Sequence, residues 1–270
     1  MRLLVIDRDR VNAQLIEQRL EAFGHEIVYE PSKNEAIERL GSESFDAVLV
    51  DPAPLNTARP FVISVRRALP RQFVYIMLMS YDAKRTDAVN CGMNDALPKP
   101  LDTDRLPVFV DNAKRMGDLI SRLADESTDY PNANGILGKS AMNQLLLTAL
   151  DRADRYGEQS FMMFISLRNM AAVRASLGDA GVEAMVVGIG GYMGKVRRQS
   201  DIAGRTGPGE FGSLILRPIR ETEPHDAAAR FAEILTRDRN GLAVDGVLPE
   251  FDVRLVNVPT GDVQAKFEIL

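Results

Sequence analysis

The chain has 270 residues, 45% of them hydrophobic and 26% charged, with a formal net charge of −5 and no low-complexity tract, so it reads as globular and long enough for two domains with separate cores. Neither half carries a basic excess, which disfavours a nucleic-acid grip; no run approaches the roughly 18 apolar residues of a membrane span, and the N-terminus is too short an apolar run for a signal peptide. The single cysteine, Cys91, has no internal partner, and a reducing cytoplasm is the expected compartment.

From Leu3 to about Leu106 short apolar runs alternate with amphipathic stretches, the βαβ rhythm of a parallel sheet covered by helices. Residues 3–6, 47–50 and 73–79 are the predicted strands, and their ends deliver Asp7, Asp51 and Ser80. Another short apolar step leads to Lys99-Pro100. In an open parallel sheet that edge is where ligands bind. One such residue is as well explained as a strand-ending turn; three on consecutive strands followed by a lysine form a set.

These residues resemble the receiver domain of two-component response regulators, and the resemblance runs over nearly all of residues 1–120. It implies a doubly wound, flavodoxin-like α/β fold. It makes Asp51 the phosphoacceptor, a carboxylate nucleophile that takes a phosphoryl group from a histidine kinase or phosphotransfer protein. Asp7, Asp51 and the Ala53 carbonyl would hold Mg²⁺, Ser80 would be the switch hydroxyl, and Lys99 the ammonium that bonds the acyl phosphate. The pattern also departs from the family. Arg8 stands where a second acid is usual, and a guanidinium there would compete with the cation for Asp7 and Asp51; Asp9 compensates only if its loop enters the site. The segment Pro52-Ala53-Pro54-Leu55-Asn56 lacks the usual Met-Pro-x-Met-Asp-Gly run, and Ala96 replaces a frequent aromatic.

Beyond Pro100, residues Leu106, Phe109, Ala113, Met116, Ile120 and Leu123 recur at spacings of three and four, one apolar helix stripe. Its first half suits the receiver's last helix, and its second half suits pairing with another copy, so a homodimer through residues 106–123 is an expectation. The turn formers of residues 127–135 mark a boundary. The expected division is therefore 1–120, a connector at 121–134, and a second domain at 135–270.

That second domain carries Arg205-Thr206-Gly207-Pro208-Gly209-Glu210-Phe211 and, upstream, Arg198-Gln199-Ser200-Asp201. Both resemble the GGDEF domain of diguanylate cyclases, as do the entry segment 135–142, the helix from Gln144 to Tyr156 and the strand Phe161-Met162-Met163-Phe164-Ile165-Ser166-Leu167-Arg168. The resemblance implies an α+β nucleotidyl-cyclase-like, ferredoxin-like fold and cyclic di-GMP chemistry. Joining two GTP molecules needs divalent metal held by hard oxygen ligands. Here Ser166 and Gly209 stand where the family has metal-binding acids, and residues 170–175 replace its Lys and polar base-contacting set. Pro208 also removes an N–H, Glu210 reads as a solvated hairpin carboxylate, and the closing helix of the family is not found, so a shortened domain is expected. The implied catalytic set is empty.

Arg198 and Asp201 match the pair that clamps cyclic di-GMP in the family, although with Arg197 they suit a surface ion pair at a helix end equally well. The position that supplies an assisting arginine in the family falls on Ile234, after an apparent insertion at 217–223. The expected protein is a response regulator with a catalytically inactive GGDEF-like output domain that works by protein–protein contact or as a cyclic di-GMP effector; the alternative is a working diguanylate cyclase with atypical ligands.

Overall fold

The computed structural model describes residues 1–69, 72–81, 84–130, 135–198 and 201–270. Two compact units are present: the first comprises Met1–Ser121, Leu150–Glu158 and Pro259–Gly261, and the second Arg122–Ala149, Gln159–Val258 and Asp262–Leu270. The predicted boundary segment falls partly on residues 131–134, outside the described residues.

In the first unit β1 (Arg2–Ile6), β2 (Glu26–Tyr29), β3 (Ala47–Val50), β4 (Tyr75–Ser80) and β5 (Asp95–Pro98) form a sheet ordered β2-β1-β3-β4-β5. All its pairings are parallel. This is the doubly wound, flavodoxin-like order, with its switch point between β1 and β3. Between the strands run α1 (Arg10–Glu21), α2 (Lys33–Ser42), α3 (Ala58–Ala68) and α4 (Arg85–Asn90), with α5 (Leu106–Ala124) last. The central strands are apolar on both faces, as a sheet covered on both sides requires; Leu4, Ile6, Val48, Val50, Ile76 and Leu78 join one core with Ala36, Leu40, Phe61, Val62 and Val65 of α2 and α3. Asp9 and Ser32 cap α1 and α2 by accepting from Val11 N and Glu35 N. The third predicted strand starts later than its apolar run, because the Arg66 guanidinium takes the Val74 carbonyl at 3.0 Å and closes off that backbone.

The stripe on α5 is already covered. Leu106, Phe109, Ala113, Met116 and Leu123 are all at most 4% exposed. Ile120 is the stripe residue that stays partly exposed, so most of the apolar positions proposed for a homodimer seam already lie in the chain's own interior.

In the second unit α6 (Lys139–Tyr156) precedes β6 (Ser160–Leu167), α7 (Met170–Val196), the hairpin β7 (Ile202–Gly207) and β8 (Glu210–Leu216), α8 (Glu223–Asp238), β9 (Phe251–Val258) and β10 (Val263–Ile269). The sheet order is β10-β9-β6-β8-β7, antiparallel at every pairing. Alternate β6 residues, Phe161, Met163, Ile165 and Leu167, pack with Val182, Met185 and Ile189 of α7 and Phe231 and Leu235 of α8, so the helices lie over one face of the sheet. The fold is α+β, as expected. After β9 the chain turns directly into β10, a strand the sequence reading passed over: Val263, Ala265, Phe267 and Ile269 alternate with polar residues, including Lys266 and Glu268, which suit an exposed edge.

Candidate functional sites

Asp7 follows β1, Asp51 follows β3, Ser80 ends β4 and Lys99 follows β5, so the parallel order brings all four to one sheet edge. Lys99 is the centre of the arrangement. Its Nζ lies 2.6 Å from Asp7 Oδ2 and also pairs with Asp51 Oδ2. The Asp7 and Lys99 side chains are 3% and 2% exposed, and that of Asp51 is 14% exposed. Burial works against the Lys99 charge, but the hydrogen bonds to Asp51 and Asp7 outweigh it and hold its pKa above the ordinary lysine value. Ser80 accepts Lys99 N–H through its backbone carbonyl at 2.9 Å, and among the described residues its hydroxyl is uncommitted.

The remaining lone pairs are also engaged. Asp7 Oδ1 accepts Asp9 N–H at 2.9 Å, its Oδ2 accepts Asn12 Nδ2 at 3.1 Å, and Asp51 Oδ1 accepts Ala53 N–H at 2.9 Å. Asp9 takes Val11 N–H and, at 3.3 Å, Asn12 Nδ2, so it acts as a helix cap linked to Asp7 through Asn12. Arg8 departs from expectation. It is exposed, and among the described residues its guanidinium pairs with neither Asp7 nor Asp51; the cation on both carboxylates is Lys99. Two carboxylates at a sheet edge fit a Mg²⁺ that keeps most of its waters. With Lys99 shared between them the pair retains one net negative charge, which makes that fit weak. Among the described residues no group of three or more His, Cys, Asp or Glu side chains is gathered in a metal-ligating cluster.

In the second unit, Ser166 near the end of β6 sits opposite Glu210, the first residue of β8. Glu210 is no solvated hairpin acid. Its side chain is 13% exposed; Oε1 accepts Thr206 Oγ1 at 2.8 Å and faces Arg122 Nη1 at 2.7 Å, while Oε2 accepts Ser166 Oγ at 3.2 Å. The carboxylate is buried because three partners satisfy it. Gly209 is equally committed: a Cβ there would lie 3.1 Å from Met170 Sδ and 3.4 Å from Leu167 Cβ. The apolar Met170 and the missing acid at 209 are thus one packing solution. Arg205 braces the hairpin, donating to Gly207 O at 3.2 Å and Pro208 O at 2.7 Å while its guanidinium lies 4.2 Å from the Tyr130 ring centre. A divalent ion does not fit these residues, since the one carboxylate already carries a guanidinium and two hydroxyls.

Arg198 and Asp201 come together through the backbone. Asp201 Oδ2 accepts Arg198 N–H at 2.9 Å and lies 3.3 Å from Arg230 Nη2, while Arg197 Nη1 donates to Asp201 O at 3.0 Å. The α8 residue that meets Asp201 is Arg230, one turn before Ile234. The Arg198 side chain is exposed, and Gln199 and Ser200 between the pair lie outside the described residues. The Nε atoms of Arg197 and Arg230 are buried without a partner among the described residues. Sequence reasoning missed Asn12, Arg122 and Arg230, because each acts across the fold or from a helix turn whose spacing to its partner carries no motif.

Residues 128–248 match the family model described as "Diguanylate cyclase, GGDEF domain". The second unit carries a GGDEF domain. In the curated collection the chain is similar to the transcriptional regulatory protein ZraR of Escherichia coli O157:H7, 26% identical over 152 residues, which cover 55% of this chain and 34% of that protein. The chain thus spans about a third of the length of the curated relatives it matches. Among solved structures it is similar to a two-component response regulator from Clostridium difficile (24% identity, 43% of this chain and 96% of that one, TM-score 0.37). It is also similar to a sensory box/GGDEF family protein from Caulobacter crescentus CB15 (19% identity, 44% and 77%, TM-score 0.36). The β7–β8 hairpin, with Gly209 and Glu210 at its turn, lies within the matched residues.

Proposed function

We propose that the chain is a response regulator whose receiver-like unit takes a phosphoryl group on Asp51 and whose GGDEF domain binds rather than catalyses. The observation that carries the second half is the Glu210 site. A cyclase needs carboxylates free to hold a cation against the triphosphate, whereas Glu210 is held by Arg122, Thr206 and Ser166, and a side chain at 209 would press on Met170. Arg122 supplies the positive charge that a metal would otherwise bring. Support for the first half is the Asp7–Lys99–Asp51 constellation at the sheet edge. Asp7 and Asp51 would hold the Mg²⁺, whose chemistry is to neutralise the phosphoryl oxygens; Lys99 would follow the transferred group, and the uncommitted Ser80 hydroxyl would turn towards it.

Output then comes from a protein partner or from cyclic di-GMP at Arg198 and Asp201. The exposed Arg198 guanidinium supports the ligand reading, since it is available to a phosphate while Arg197 and Arg230 hold Asp201 in place. Titration calorimetry tests both sites of the GGDEF domain. GTP with Mg²⁺ should give no saturable heat; cyclic di-GMP should bind wild type and lose at least about tenfold in affinity with Arg198→Ala. Saturable GTP·Mg²⁺ binding that Glu210→Gln abolishes would sink the non-catalytic reading, and two flat cyclic di-GMP traces would leave the protein-partner output.

A further inference from the structure

The first unit holds a second ammonium, bonded to the loop that leaves Asp51, that the receiver resemblance does not assign. Lys33 is the first residue of α2, directly after the Ser32 cap. Its Nζ donates to Pro52 O at 2.6 Å and Thr57 Oγ1 at 2.9 Å. Thr57 Oγ1 in turn donates to Pro52 O at 2.6 Å, which ties the Lys33 ammonium to the loop that leaves Asp51. Both acceptors are neutral. Burial and the Arg8 charge lower the Lys33 pKa, and the negative charge opposing them is Asp51. Among the described residues the ammonium is therefore bonded to no carboxylate, and its Pro52 partner is one residue from the proposed phosphoacceptor, in a chain where Arg8 stands where the receiver resemblance expects an acid.

A phosphoryl group on Asp51 would bring additional negative charge into this pocket. We propose that Lys33 is a positioning residue of the Asp51 site, holding the transferring phosphoryl group together with Lys99 and supplying part of the neutralisation that a divalent ion would otherwise provide. This rests on the reading of Asp51 as phosphoacceptor. In the step itself an Asp51 carboxylate oxygen attacks phosphorus of an acyl phosphate donor such as acetyl phosphate. The new P–O bond forms as the bond from phosphorus to the acyl oxygen breaks, and acetate leaves with the electron pair; no proton or redox partner is needed. Lys33 lies beside the incoming oxygens, not in the bond exchange.

The test is intact-mass measurement of the full chain incubated with acetyl phosphate, with Mg²⁺ varied from chelator-treated to saturating, in wild type, Lys33→Ala and Lys33→Arg. Wild type should gain one phosphate, and should still do so slowly without added Mg²⁺. Lys33→Ala should stay within about twofold of wild type at saturating Mg²⁺ but fall at least about tenfold below it without the ion, and Lys33→Arg should recover most of the loss. A role in folding alone would not change with Mg²⁺. Lys33→Ala that tracks wild type at every Mg²⁺ concentration overturns this inference and spares the Asp51 reading. Wild type that gains no phosphate under any condition overturns both. Should Lys33→Ala fail to fold, Lys33→Gln takes its place.

Discussion

At the scale of single residues, a cation engages the carboxylates of both sites, Lys99 on Asp7 and Asp51 and Arg122 on Glu210. Lys99 neutralises Asp7 and Asp51 where the two would otherwise repel, and removing one member of such a buried set leaves charge uncompensated. Lys99→Met should lower stability by about 3 kcal/mol in urea unfolding at neutral pH, and millimolar Mg²⁺ should restore part of it by taking the vacated place between the carboxylates. In the second unit Ser166→Asp would set a second carboxylate against Glu210, whose nearest oxygen is 3.2 Å from the present hydroxyl. That variant should melt below wild type at pH 7, and the gap should narrow as the pH approaches 4 and one acid takes a proton. An unchanged melting temperature at pH 7 would mean Glu210 is not the closed site described above.

Among the elements, the helices and hairpins show what spacing could and could not reveal. Strands β1, β3 and β4, the helix stripe of α5 and the β7–β8 hairpin were legible, because period-2 and period-3.6 patterns and a Gly-rich turn leave local signatures. The edge strand β10 was passed over although its residues alternate, and Arg230 was missed because the length of the 217–223 loop decides which α8 residue meets Asp201. Close packing between elements is equally invisible in one sequence. A Cβ at Gly204 of β7 would collide with Met142 of α6 and come within 3.0 Å of Leu137 O, so Gly204→Ala should cost about 1–3 kcal/mol. Helices α7 and α8 are joined by Tyr192, whose hydroxyl donates to Asp238 Oδ2 at 2.5 Å. Arg237 first and Tyr192 second pull Asp238 down to about 2, while burial and then the Asp238 bond push Tyr192 up to about 12. Since the folded carboxylate has the depressed pKa, its stabilisation is present above the ordinary value near ~3.9 and is lost as pH falls towards 2. The difference in melting temperature between wild type and Tyr192→Phe should accordingly be steady above pH 4 and shrink below it.

For the whole molecule, the apolar content is largely spent inside the chain. The α5 stripe that suggested a dimer is buried except at the partly exposed Ile120, and sedimentation at micromolar concentration should show a monomer; a dimer broken by Ile120→Glu would restore the pairing face. Fold class and the Asp7–Asp51–Lys99 edge were readable because motif residues end strands whose order the βαβ rhythm fixes. The proposal that the GGDEF domain does not catalyse rests, in the sequence, on Ser166 and Gly209. The contacts of Arg122 with Glu210 and of Met170 near Gly209 required the packed structure. The central claim is that this second site is closed to metal-assisted chemistry. It is tested most directly by incubating the purified full chain with GTP and Mg²⁺ or Mn²⁺ and quantifying cyclic di-GMP by mass spectrometry. The expected result is no product above the protein-free blank; product that scales with protein concentration and disappears in Glu210→Gln would contradict it.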